Sequence, residues 1–209
     1  MNSWTQHGFT LTELMIVVVL AASILAIGAP SFQQFRLNNR LTNAANDLLA
    51  VVTVARTEAI KRQRTVAACR TDDPASADAK CSATSEVGWI VFDDADGNCV
   101  RGDSASEPLL SARTLDNANR TNPLRVRTDG DCLQFAASGF RQNVAALTPL
   151  SHITLCDNRG LDGRPDLAVS PGRGILITIT GRARITRTVG DGSEEDVLGA
   201  AWKDVKCPS

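Results

Sequence analysis

Gly8-Phe9-Thr10-Leu11-Thr12-Glu13-Leu14 opens an apolar run that continues to Ala29, and across the 21 residues from Phe9 to Ala29 the only charge is Glu13. A helix of that length reaches roughly 32 Å, at about 1.5 Å per residue, enough to cross a hydrocarbon core. A carboxylate inside such a segment is costly unless a partner answers it. The partner this stretch offers is a new α-amino group on Phe9, created by cleavage after Gly8 and carried by a neighbouring subunit. A buried glutamate facing that ammonium would turn a penalty into an assembly signal.

Gly8, Phe9, Thr10, Leu11, Glu13 and Leu14 together resemble the prepilin signature of type IV pilins and pseudopilins. The resemblance implies that a prepilin peptidase cuts after Gly8, that Phe9 is then N-methylated, and that Glu13 guides docking into a filament. Pro30 resembles the proline such chains carry near the end of the membrane segment. No small-residue secretory cleavage site follows the apolar run. The residues before the glycine hold neither Lys nor Arg, only His7, while Arg36 and Arg40 come after the run, so the positive-inside bias is not followed.

Beyond Pro30 the apolar residues Phe32, Phe35, Leu41, Ala44, Ala45, Leu48, Val52, Ala55 and Ala59 recur at three- and four-residue steps. That spacing predicts a continuing amphipathic helix, kinked or not at the proline, ending near Gln63. From Thr65 onward short β-prone runs alternate with turns: Thr65–Cys69, Gly88–Phe92, Leu109–Thr114, Leu124–Thr128, Leu133–Ala136, Ile153–Cys156, Ile175–Thr180 and Ala183–Val189. A long helix followed only by strands predicts an α+β fold, with one antiparallel sheet wrapped against the helix. The expected organisation is a leader over 1–8, a membrane or filament-core segment over 9–29, an amphipathic continuation over 30–63 and a β-rich domain over 64–209.

The β-rich part extends the resemblance. Gly88 to Phe92, Phe135 to Gly139, Leu155 to Gly160 and Gly181-Arg182-Ala183-Arg184 are similar to the GspH/FimT group of minor pilins and pseudopilins, so that the likeness runs from Gly8 to about Arg187. The group implies a type IV pilin-like fold and partnership with the major pilin and other minor pilins. Its FimT branch is implicated in DNA uptake during natural transformation, with a Gly-Arg-x-Arg element near the C-terminus as the DNA-contacting feature.

Composition sets wider bounds. A net charge of −1 excludes a wholesale basic nucleic-acid binder but leaves room for a local patch. Six cysteines, at 69, 81, 99, 132, 156 and 207, have no CxxC spacing that would point to zinc or redox chemistry. An even count in a chain carried across a membrane favours disulfides. Proximity favours Cys69–Cys81, with Cys99–Cys132 and Cys156–Cys207 completing one of the fifteen pairings that six cysteines allow. Free buried thiols are the alternative.

The arginines carry the remaining signal. From Arg159 to Arg187 there are six arginines (159, 164, 173, 182, 184, 187) against two acids, whereas Thr188 to Ser209 holds five acids and two lysines. If Ala183 and Ile185 point inward on a strand, Arg182 and Arg184 project outward together, and Arg187 falls on the opposite alternation unless the strand ends or bulges. Arginine forks suit phosphate oxygens and bind them without reading sequence. The DNA-binding set is therefore expected to be Gly181, Arg182, Arg184, Arg187 and Arg173. The opposing reading is a solvated hairpin whose arginines pair with the acidic tail.

Two other motifs weigh less. Asp93-Asp94-Ala95-Asp96-Gly97-Asn98 does not fit an EF-hand, because aligning Gly97 with the invariant glycine puts Phe92 at the first ligand and Asp103 at the last. A solvated β-turn is expected instead, with no metal and no cofactor. Ser151-His152 lacks any nucleophile elbow, and His152 is the only histidine outside the leader, so no enzyme is expected. The combined expectation is a minor pilin in the bacterial inner membrane, its β-domain in the periplasm. After assembly into a pilus it would bind DNA, or else serve a structural role in a pilus or a type II secretion pseudopilus.

Overall fold

The computed structural model describes residues 10–82, 87–102, 104–115, 123–130, 132–144, 147–159 and 172–187, the side chains of 27, 29, 30 and 187 excepted. Among the described residues one helix, α1 (Leu11–Arg62), precedes nine strands, β1 (Val66–Thr71), β2 (Gly88–Asp93), β3 (Leu109–Thr114), β4 (Arg125–Thr128), β5 (Cys132–Phe135), β6 (Arg141–Gln142), β7 (His152–Cys156), β8 (Arg173–Ile177) and β9 (Ala183–Arg187). By compactness the chain divides into Met1–Asn39 and Arg40–Ser209.

The start of α1 is written locally. Thr10 caps it, its Oγ1 accepting the Glu13 N–H at 3.2 Å, so Thr10 and Glu13 stand in the T-x-x-E positions of a capping box. α1 runs through Pro30 without interruption. Among the described side chains of the first unit the large apolar ones are exposed, Leu11 to 71% and Phe35 to 59%. An 18-residue window here has a mean hydropathy of 2.4, so the helix is long and apolar enough to cross a membrane.

In the second unit the helix buries Leu41, Ala44, Ala45, Leu48, Val51, Val52, Ala55 and Ala59. Phe32 and Phe35, on the apolar stripe of the first unit, are about three-fifths exposed. α1 ends where Gln63 turns left-handed (φ 55°) and the Arg64 N–H reaches back to the Ala59 carbonyl at 3.3 Å, a Schellman-type closure.

The expected single sheet is in fact two. β3-β2-β1-β5-β6 form one antiparallel sheet and β4-β7-β8-β9 another. Alternation along a strand assigns its faces, not its partners, so the return of β5 to pair with β1 was not visible in the pattern. The main core joins the helix stripe to Val66, Ala68, Trp89, Val91, Leu133 and Phe135 from the first sheet, and to Val126, Ile153, Leu155, Ile175 and Ile177 from the second.

The alternate residues Ala67, Cys69, Ile90, Phe92 and Cys132 line a second cluster on the far face of the first sheet. Small loops cover that face, and disulfides hold them: Cys69–Cys81 ties β1 to its following loop, and Cys99–Cys132 ties the β2–β3 connection to β5. Cys156 is also disulfide-bonded. Its expected partner, Cys207, lies outside the described residues, as do Gly8 and Phe9.

Candidate nucleic-acid interface

β8 and β9 form the outermost hairpin of the second sheet, with β9 at the edge. Its turn has a three-residue loop. The Gly181 N–H donates to the Thr178 carbonyl at 2.9 Å, the Thr178 N–H donates to the Arg182 carbonyl at 2.9 Å, and Gly181 adopts φ +76°. This is a type I turn closed by a left-handed residue, a conformation that favours glycine. The Thr178 hydroxyl reinforces the turn by accepting the Arg182 N–H at 3.1 Å. The glycine of the Gly-Arg-x-Arg element thus has a backbone role: it ends the turn and places Arg182 immediately before β9.

From there alternation sorts the side chains. Ala183 and Ile185 pack on the main core, while Arg182 and Arg184 are exposed. Arg184 lies opposite Leu176 of β8, which in turn lies opposite His152 of β7. The two arginines therefore stand on the outer side of an edge strand, fixed by apolar neighbours that anchor the strand between them.

The wider expected set does not assemble. Arg173 is buried (8% exposed), and its guanidinium donates to the Gly172 carbonyl at 2.9 Å and to Thr42 Oγ1 of the helix at 3.5 Å. The reason is legible in the strand itself, since Arg173 shares its alternation with the core residues Ile175 and Ile177. Arg187 pairs in register with Arg173, on the opposite alternation from Arg182 and Arg184. Arg159 forms a close fork on the buried Asp157, with Nη2 at 2.7 Å and Nε at 3.0 Å from carboxylate oxygens. Arg164 and the acidic tail from Thr188 lie outside the described residues.

One cation of the helix also belongs to this corner. Arg56 is half-buried, and its Nε lies 3.1 Å from where a Cβ on Gly181 would stand and 3.3 Å from one on Gly139. Gly139 closes a second hairpin, between β5 and β6, by the same turn: φ +78°, with the Gly139 N–H donating to the Ala136 carbonyl at 2.8 Å. The two hairpins are joined where the Arg141 N–H donates to the Ile179 carbonyl at 2.9 Å. Burial pulls the Arg141 guanidinium below its ordinary value, with Asp129 acting against that shift. No sequence pattern marks Arg56 for this place; only the packing of helix against turn does.

Ser151 and His152 do not form a catalytic relay. The Ser151 hydroxyl is hydrogen-bonded to Asp129, whose other carboxylate oxygen accepts the Ser151 and His152 backbone N–H groups at 2.9 Å each. The imidazole is buried, with its Nε2 3.5 Å from Thr154 Oγ1. Asp129 thus holds the backbone at 151 and 152 together with the Ser151 hydroxyl.

Similarity to known proteins covers both the N-terminal segment and the β-rich part. Residues 44–181 match the family described as Type II transport protein GspH, and residues 5–29 match the prokaryotic N-terminal methylation motif. A fimbrial protein of Pseudomonas aeruginosa is 32% identical over 68 residues, which are 32% of this chain and 44% of that protein, so the likeness spans less than half of the relative. Among solved structures, the type IV minor pilin FimU of Pseudomonas aeruginosa superposes with a TM-score of 0.42 at 20% identity, covering 73% of this chain and 92% of that one.

Proposed function

This chain belongs to the GspH family of minor type IV pilins and pseudopilins, and on that footing we propose that it is a filament subunit which holds DNA by its phosphates through Arg182 and Arg184. The observation that carries the reading is the exposure of these two arginines side by side on an edge strand that Ala183 and Ile185 pin to the core. Two guanidinium forks at alternate strand positions offer bidentate contacts to a phosphate backbone, and Arg56 adds a third cation beside their turn. Such contacts give affinity and position without reading base sequence.

Assembly follows from the N-terminal end. Members of the family are processed by prepilin peptidase and assemble with other pilins; here cleavage falls between Gly8 and Phe9, and Phe9 is the methylated residue. Glu13 sits in the first turn of an apolar helix, where it answers the Phe9 ammonium of a neighbour. Before assembly the helix anchors the chain in the inner membrane with the β-domain in the periplasm. In the filament several copies, or neighbouring minor pilins, would add avidity to a weak single patch. The uptake step this serves is natural transformation.

A structural subunit without DNA is the competing reading, and one observation favours it: β9 is an edge strand, where exposed charges guard against edge-to-edge pairing. Equilibrium binding of a labelled DNA duplex to the full-length protein in detergent micelles separates the two. Replacing both Arg182 and Arg184 by Ala weakens binding at least about tenfold if each loses a charge-assisted contact, with the circular dichroism spectrum unchanged. Unchanged affinity leaves the structural reading.

A further inference from the structure

Outside the arginine corner, the β2–β3 connection gathers acids that no part of the proposed function uses. Carboxylate oxygens of Asp94, Asp96 and Glu107 lie within 4.8 Å of one another. Two oxygens sharing one calcium ion at about 2.4 Å cannot be more than about 4.8 Å apart, so this spacing admits a common ion. An acidic cluster alone does not make a site. Asp94 supplies the second observation. It is 1% exposed, its Oδ2 accepts the Cys99 N–H at 3.1 Å and the Gln134 Nε2–H at 2.6 Å, and its Oδ1 is buried with no hydrogen-bond donor. A buried carboxylate oxygen with no donor is costly unless something positive meets it.

Protein cations do not meet it. Arg101 is buried close by, but its Nε donates to the Glu107 backbone carbonyl at 3.0 Å and its Nη1 to the carbonyls of Ala77 and Ala79 at 3.0 and 2.8 Å. Arg64 pairs with Asp93, on the other alternation of the strand end. Among the described residues no Lys, Arg or His forms an ion pair with Asp94, Asp96 or Glu107.

We propose that Asp94, Asp96 and Glu107 form a calcium site that locks the β2–β3 connection onto β5. The donors are hard oxygens, which excludes the soft metals that cysteine and histidine select. Glu107 is itself buried, with its Oε2 accepting the Gly102 N–H at 2.6 Å, whereas Asp96 is exposed and leaves one side open to water ligands. Three carboxylates with a partly hydrated shell suit calcium, which tolerates irregular geometry and six to eight oxygens, better than magnesium, which requires a tight octahedron. The framework is fixed in advance, since Cys99 is cross-linked to Cys132 of β5 and Gln134 of β5 bonds both Asp94 and the Gly97 carbonyl, at 2.6 and 3.1 Å. The site is not an EF-hand, since Phe92 still falls at the first ligand of that register; it draws instead on Glu107, from the far end of the connection.

The test is calorimetric titration of calcium chloride into the full-length protein in nonionic detergent, alongside thermal unfolding. Binding in the range of about 0.1–1 mM is expected, as for extracellular calcium modules, with Tm rising in calcium and not in equal magnesium. Asp96→Asn removes a charge at an exposed position and keeps the acceptor for the Asn98 N–H, giving up only the exposed contact from the Asn98 Nδ2–H, so it folds normally and binds calcium at least tenfold more weakly. Glu107→Gln does the same from the buried side. No heat and no Tm shift up to about 10 mM calcium, an equal response to magnesium, or wild-type affinity in Asp96→Asn would each overturn the proposal.

Discussion

Gly181 and Gly139 meet turn to turn: a Cβ built on Gly181 would collide with the carbonyl oxygen of Gly139. That contact joins the hairpin that launches the arginine strand to the hairpin that ends the first sheet. Gly181→Ala would have to place a side chain at φ +76° as well as into that carbonyl. The left-handed conformation alone costs roughly 1–2 kcal/mol for an L-residue. A loss of at least about 2 kcal/mol is expected in denaturant unfolding, together with weaker DNA binding as Arg182 shifts. A variant of wild-type stability would show that the turns are less tightly joined than the structure has them.

The disulfides hold a core that lacks a helix of its own. Cys69–Cys81 and Cys99–Cys132 close segments with sequence separations of 12 and 33 around the second apolar cluster. Replacing either pair by alanines is expected to lower unfolding free energy by about 3 kcal/mol, measured by denaturant titration. The loss should be greater for Cys99–Cys132, which spans the longer segment. Neither change should abolish the helix-facing core, which keeps its circular dichroism signature.

Glu13→Gln preserves size and helix propensity while removing the charge. Thr10 still caps the helix through the Glu13 backbone N–H, so membrane insertion should persist. Recovery of the subunit in sheared filaments should fall severalfold, read by immunoblot against the membrane fraction. Equal recovery would mean that the carboxylate serves only the first turn of its helix, where a negative charge is favourable in any case.

Much of this was legible in the residues. Thr10 and Glu13 mark the helix start, the period from Leu41 to Ala59 marks the docked face, and Gly88–Phe92 reads directly as β2. Strand pairing was not legible, because β2 is buried on both faces and shows no alternation from which to choose its partners. Within the candidate site, Arg182 and Arg184 followed from alternation with Ala183 and Ile185, and the same rule applied to Ile175 and Ile177 would have taken Arg173 inside. Arg56 and Glu107 were beyond reach of any local pattern. Each meets its neighbours only through the fold, across the helix–turn contact in one case and a long connection in the other.

The central claim, that Arg182 and Arg184 hold DNA through phosphates, is tested most directly by the salt dependence of binding. Each phosphate neutralised on duplex DNA contributes about 0.9 to the slope of log K against log salt. The account predicts that replacing both arginines by alanine lowers the steepness of that slope by about 1.8, equally for duplexes of unrelated sequence. Identical slopes for the wild-type and doubly substituted proteins would contradict it.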